Sequence, residues 1–418
     1  MKNRIVTIIG LFALLSTASA AGPKADFNVI PVPRTICAGT SAPFVLDSNT
    51  KIYYEEGQKR NAAFLQQYIT DITGIVPELT DRPRKRGTIS LRVKDTSSDA
   101  EGYTLTVDKK NIHIVGNSPA GVFYAIQTLR KALPAGQASE VEIPSCIVED
   151  SPRFAYRGVH LDVVRHFFPV DSVKRYIDII ALHNVNRFHW HLTDDQGWRV
   201  EIKSRPRLTS VGAYRKQTAG DGTPHGGFYT QDEIRDIIRY AQERYITIIP
   251  EIDIPGHSAA ALASYPEIGC TGGPYEVCEV WGGPADVLCA GKDETMQFLQ
   301  DVFTEIAGLF PSQYIHIGGD ECPKQRWKEC RACQAKIKEL GIVPDKKHSA
   351  EQKLQSYVMV SVEKFLAAKG RKVIGWDEIL EGGLGPDATV HSWRGMGGAV
   401  EAVKQGHDAI LSPTSHCY

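Results

Sequence analysis

From Tyr156 onward the chain repeats one pattern: a short apolar run ending in polar or charged residues, then a helical stretch. The runs are Arg157–Asp162, Asn186–Leu192, Ile246–Asp253, Tyr314–Asp320, Lys372–Asp377, Thr389–Trp393 and Asp408–Leu411. Helical periodicity fills Val170–His183, Gln231–Arg244, Lys292–Phe310 and Ala350–Lys369 between them. Such alternation predicts parallel βαβ units. Seven strands without a Gly-rich dinucleotide fingerprint favour a (β/α)8 TIM barrel over a doubly wound sheet.

The 418 residues leave room for a smaller unit before the barrel. Ile89–Val93, Tyr103–Val107 and Ile112–Val115 alternate as strands, with Lys109-Lys110-Asn111 as a hairpin turn. An amphipathic helix fits Lys59–Thr73, and Ser118-Pro119 opens another that runs to Leu133. Residues 22–150 therefore read as a small α+β domain that packs rather than reacts, and 151–418 as the barrel. Residues 1–20 read as a signal peptide. Lys2 and Arg4 are its positive start, Ile5–Leu15 its apolar run and Ala18-Ser19-Ala20 its cleavage site. That run is shorter than the roughly 20 residues of a membrane span. The mature protein is expected outside the cytoplasm, in the periplasm or extracellular space, with no membrane insertion.

The formal net charge is −1, so no global field draws the chain to nucleic acid or an anionic membrane. The basic cluster Arg82, Arg84, Lys85 and Arg86 is flanked by Pro83 and Gly87 and reads as a solvated loop. Nine cysteines in an exported chain make disulfides plausible. Six of them form two groups along the chain: Cys270, Cys278 and Cys289, then Cys322, Cys330 and Cys333. Cys330-x-x-Cys333 has no second such pair or paired histidines beside it, so a local bridge or free thiols, and no metal, are expected.

Chemistry gathers at one end of the barrel strands. Asp162, His191, Asp194, Asp195, Asp253, Asp320, Glu321, Trp376, Asp377 and Trp393 all fall at or just after strand C-termini, where barrel active sites are built. A single acid there is commonly a helix cap. Six strands doing so together, with His and Trp included, need another reason. In His316-Ile-Gly-Gly-Asp320-Glu321 the glycines permit close approach of backbone and substrate. Adjacent carboxylates on an extended chain point to opposite sides, so the two are expected to hold different jobs. Crowding raises one pKa, which suits a general acid. Asp253 and His257 flank a Pro-Gly turn, so a carboxylate can orient an imidazole there. Trp376, Trp393 and Tyr418 offer aromatic faces for sugar rings. Arg157, at the start of the first barrel strand, is a bidentate donor suited to vicinal hydroxyls.

At these residues the chain resembles glycoside hydrolase family 20, the β-N-acetylhexosaminidases. The resemblance rests on Tyr156–Phe168, His189-Trp-His-Leu-Thr-Asp-Asp-Gln-Gly-Trp198, Pro250–His257, His316–Glu321, Gly375-Trp-Asp and Ser392-Trp-Arg-Gly. Gly102–Val107 and Ala120–Leu129 look like the family's accessory domain. The resemblance implies exo-acting removal of terminal non-reducing β-linked N-acetylglucosamine or N-acetylgalactosamine from glycans. It also implies retention through an oxazolinium formed by the substrate's own 2-acetamido group, without a cofactor. Carried over, Glu321 is general acid and base, and Asp320 orients the acetamido N–H. Tyr418 bonds the acetamido oxygen, Trp376 and Trp393 wall the pocket, Arg157 holds O3 and O4, and Asp253 and His257 support Glu321. The family's eighth strand would follow Tyr418, so the barrel is expected to be incomplete at its C-terminal end. Two rival classes fit less well. A silent glycan-binding barrel would lose the acid, and a chitinase would carry a D-x-D-x-E strand, which is absent.

Overall fold

The computed structural model describes residues 22–94, 99–282 and 284–417. The signal-peptide segment 1–20 and Tyr418 lie outside the described residues. The chain divides into two compact units between Pro152 and Arg153.

The first unit holds β1 (Thr35–Ala38), β2 (Phe44–Asp47), β3 (Lys51–Tyr54), α1 (Lys59–Thr73), β4 (Glu78–Thr80), β5 (Thr88–Val93), β6 (Tyr103–Val107), β7 (Asn111–Gly116), α2 (Pro119–Ala132), β8 (Glu140–Ile143) and β9 (Cys146–Asp150). Seven strands form a mixed sheet in the order β1-β9-β6-β7-β5-β3-β4, and β2 pairs separately with β8. Asn111, expected in the hairpin turn, instead opens β7. Asp108 Oδ1 accepts the N–H groups of Lys110 and Asn111 and so closes the turn one residue earlier. Helix α2 starts where Ser118 Oγ accepts the Ala120 N–H and Pro119 occupies the first turn. Its apolar residues Val122, Phe123, Ile126 and Leu129 are buried.

The second unit holds β10 (Gly158–Asp162), α3 (Val170–Leu182), β11 (Arg187–His191), α4 (Gln231–Gln242), β12 (Thr247–Ile254), α5 (Asp293–Leu309), β13 (Tyr314–Gly318), α6 (Arg331–Glu339), α7 (Ala350–Ala367), β14 (Lys372–Trp376), β15 (Thr389–Ser392), α8 (Gly397–Lys404) and β16 (Ala409–Leu411), with shorter pieces between. Strands β10 to β16 form one seven-stranded sheet in chain order. Every neighbouring pair is parallel. Sequential parallel order is the wall of a TIM barrel, here curled and incomplete, and not a doubly wound sheet. Helices α4 and α7 begin at capping boxes, Thr230 with Glu233 and Ser349 with Gln352.

Alternation in β11 shows how the wall is built. Phe188 and Trp190 stack on each other and lie fully buried. His189 and His191 lie on the other face of the strand and meet Glu251. The interior is therefore polar. Glu251 Oε2 lies 2.6 Å from His191 Nδ1 and 2.7 Å from His189 Nε2, and its Oε1 accepts the Trp376 indole N–H at 2.8 Å. Burial alone would raise the Glu251 carboxyl, but His191, His316 and His189 together hold it well below its ordinary value. A buried charge is tolerated here because every oxygen has a partner.

Candidate active site

The parallel strands deliver their C-terminal ends to one place, and the turns there are sharp. Gly318 (φ +66°) and Gly319 (φ +103°) end β13 in the left-handed region. A side chain at Gly318 would run into the Asp253 carboxylate, so only glycine permits this approach. Asp253 Oδ1 accepts the Gly319 N–H at 3.2 Å and holds the turn. Burial, with Asp320 nearby, raises the Asp253 carboxyl well above its ordinary value.

Beyond this turn come Asp320 and Glu321. Glu321 (φ +44°) and His257 (φ +46°) are both non-glycine residues in the left-handed region. Each such residue costs of order 1–3 kcal/mol and is held only by its surroundings. The twist overturns one expectation. Asp320 and Glu321 do not diverge as on an extended strand. Asp320 Oδ2 and Glu321 Oε2 lie 3.5 and 3.6 Å from the same atom, His257 Nε2. They differ instead in exposure: the Asp320 side chain is 17% exposed and that of Glu321 59%.

The other face of His257 also meets acids. Nδ1 lies 3.1 Å from Asp194 Oδ1 and 3.5 Å from Asp195 Oδ2. The orienting carboxylate is thus Asp194, from the segment after β11, and not Asp253. Asp253 accepts the Gly319 N–H and acts on His257 through its charge. Burial works against a charged imidazole, but Asp253, Asp194 and Asp195 hold His257 protonated far above its ordinary range. Burial pushes Asp320 up to about 6, aided by Glu251 and Asp194 and opposed by His257. Asp320 is thus a carboxyl that holds its proton more tightly than usual. Its Oδ1 is buried without a hydrogen-bond partner among the described residues.

Trp376 and Trp393 reach the same cavity as Asp320 and Glu321, a space of about 1020 Å³. Trp376 stacks on His391 with ring centroids 4.3 Å apart. The Trp393 indole N–H donates to Glu378 Oε2 at 3.1 Å. Burial, a hydrogen bond with Asp377 and the nearby Asp320 push Glu378 up to about 8.

Arg157 lines the same cavity and also has backbone partners. It precedes β10 and so stands at the N-terminal end of that strand, about 16 Å of strand before Asp162. Its Nε donates to Asn184 O and its NH1 to Phe154 O. The guanidinium at the carboxylate end is Arg165, bonded to Asp162 and Asp194 at 2.8 and 2.7 Å and to Gln196 at 3.0 Å. Sequence reasoning missed Arg165, Glu251 and Glu378. Arg165 had a signal in the stretch Tyr156–Phe168: it follows Asp162 and so lies past the C-terminal end of its strand, whereas Arg157 precedes the strand.

Residues 154–418 match the family described as glycosyl hydrolase family 20, catalytic domain, and residues 26–151 match domain 2 of the same family. The chain belongs to glycosyl hydrolase family 20. Among the relatives of this family-20 chain, a β-hexosaminidase of Porphyromonas gingivalis is 44% identical over 93% of the chain and 50% of the relative. One from Vibrio furnissii is 37% identical over 95% of the chain and 65% of the relative. The chain thus spans half to two thirds of the length of these relatives. Among solved structures, the exo β-N-acetylglucosaminidase of Vibrio harveyi in complex with N-acetylglucosamine superposes with a TM-score of 0.83 at 33% identity, over 94% of this chain and 61% of that one. A mutant Streptomyces plicatus β-hexosaminidase in complex with product N-acetylglucosamine gives 0.81 at 34%, over 93% and 75%.

Proposed function

We propose that this family-20 chain is the catalytic part of an exo-acting β-N-acetylhexosaminidase, removing terminal non-reducing β-linked N-acetylglucosamine or N-acetylgalactosamine from glycans. The observation that carries the reading is the sharing of His257 Nε2 between a half-buried Asp320 and an exposed Glu321. The two named structures that hold N-acetylglucosamine support the sugar class.

The acetamido oxygen attacks the anomeric carbon while Glu321, open to the leaving group, protonates the departing oxygen. Asp320 Oδ1, buried and unpartnered, accepts the acetamido N–H and offsets the positive charge of the oxazolinium. Ionised Glu321 then takes a proton from water as the ring reopens with retention. His257, held by Asp194 and kept cationic, fixes both carboxylates. Trp376 and Trp393 wall the acetamido group, and Tyr418 hydrogen-bonds its oxygen. Arg165, at the carboxylate end, replaces Arg157 as the donor to ring hydroxyls. No cofactor is required by this route. The enzyme works after export, on glycans in the periplasm or outside the cell, with no nucleic-acid partner and no membrane insertion; among the described residues no helix is long and apolar enough to cross a membrane.

The test uses the full gene product and aryl β-N-acetylglucosaminide and β-N-acetylgalactosaminide. Glu321→Gln is expected to lose about 10²-fold or more in kcat, and a thiazoline mimic of the oxazolinium to inhibit. Unchanged turnover in Glu321→Gln overturns the assignment, and failure of the thiazoline overturns the substrate-assisted route.

A further inference from the structure

Away from the carboxylates, the two cysteine groups that are separate along the chain merge in the fold. Cys270 and Cys289 come from the long segment after β12, and Cys330 and Cys333 from the segment after Glu321. All four sulfurs lie within 4.8 Å of one another. Cys289 Sγ is 3.7 Å from Cys330 Sγ and 3.6 Å from Cys333 Sγ, and Cys270 Sγ is 3.9 Å from Cys333 Sγ. A tetrahedron with zinc–sulfur bonds of about 2.3 Å has edges of about 3.8 Å. The observed separations match those edges. A pair of disulfides would instead bring two sulfurs to about 2.05 Å and leave the pairs apart. Here Cys289 is nearly equidistant from two partners, the mark of a cluster and not of a pair.

The backbone is built around the cluster. An antiparallel bridge between Gly269 and Leu288 sets the first two cysteines side by side, and the Cys289 N–H donates to Ile268 O at 2.8 Å. Cys330 is the N-cap of α6 and Cys333 lies in its first turn. The positive end of that helix favours thiolates. Gly291 packs so closely on the Ala332–Cys333 peptide that any side chain would collide with backbone there. Cys289 and Cys333 are buried, and Cys270 and Cys330 partly so.

We propose that Cys270, Cys289, Cys330 and Cys333 form a tetrathiolate site for one zinc ion. On binding, the four thiols release their protons to solvent and their sulfurs donate to the metal. The product is a dianionic centre with no open coordination position, and no oxidant is consumed. Its role is structural. It ties the segment that follows Asp253 and His257 to the one that follows Asp320 and Glu321, so that the strained left-handed turns keep their register. The expectation of no metal at Cys330-x-x-Cys333 fails because the second ligand pair comes from a distant loop.

The test is metal and thiol analysis of the full gene product, purified without added chelator. Expected are about one zinc per chain, its release by a mercurial thiol reagent, and its loss from Cys289→Ser and Cys333→Ser but not from Cys37→Ser. Absence of stoichiometric zinc, with a denatured mass lower by about four hydrogens, means two disulfides and overturns the proposal. If the serine variants misfold, cobalt exchange into the unaltered protein decides. Intense sulfur-to-cobalt charge-transfer bands with tetrahedral visible bands support the site, and their absence overturns it.

Discussion

His257 Nδ1 lies 3.1 Å from Asp194 Oδ1 although 63 residues separate the two along the chain. The contact exists because β11 and β12 are adjacent parallel strands, so the residues just past their C-terminal ends meet. It sets the imidazole so that Nε2 faces both Asp320 and Glu321. Asp194→Asn keeps the shape but removes one of the charges that hold His257 cationic. A fall in kcat of about 10-fold or more is expected, with KM little changed. Steady-state kinetics beside a thermal melt separate this from misfolding; a wild-type kcat sinks the role given to Asp194.

In the proposed mechanism the Asp320 carboxyl, pushed up to about 6 by burial, acts in its ionised form on the acetamido N–H. Activity is therefore expected to fall as the pH drops through about 6. The effect on stability has the opposite sense. A carboxyl whose folded value lies above its unfolded value of about 3.9 favours the fold below that value, and loses the contribution as pH rises through about 6. A kcat/KM profile with an acid limb near 6 that disappears in Asp320→Asn fits this account. A limb that persists unchanged in that variant rules it out.

Arg165 and Arg157 are separated by the length of β10 and are expected to fail differently. Arg165→Ala removes a guanidinium bonded to Asp162 and Asp194 at the sugar end, so kcat/KM is expected to drop by about 10²-fold. Arg157→Ala removes bonds to the Asn184 and Phe154 carbonyls and is expected to lower the melting temperature while KM stays unchanged. The reverse pattern would restore Arg157 to the sugar site.

Gly318→Ala places a methyl against the Asp253 carboxylate at a φ of +66°. The backbone term alone is about 1–2 kcal/mol, and displacement of Asp253 frees the Gly319 N–H. Chemical denaturation is expected to show a loss above that figure, with activity reduced further than stability. A variant as stable as the parent contradicts the close approach seen here.

Much of this was legible from residue order. Strand and helix ranges such as Lys59–Thr73 and Tyr103–Val107 follow from apolar period and caps, which act over a few residues. The motif His316–Glu321 marks the carboxylates for the same local reason, since its two glycines announce a turn that no other residue makes. Three relationships did not follow. The partner of His257 is Asp194 and not the nearer Asp253. The guanidinium that meets Asp162 and Asp194 is that of Arg165. The cysteines of two loops form one cluster. Each depends on which strands are neighbours and at which end a residue emerges. The sequence by itself determined the elements, the family and the reacting residue types, because these rest on short-range periodicity and motif. Only the tertiary structure decided which charges meet, because contacts across parallel strands join residues that local spacing leaves far apart.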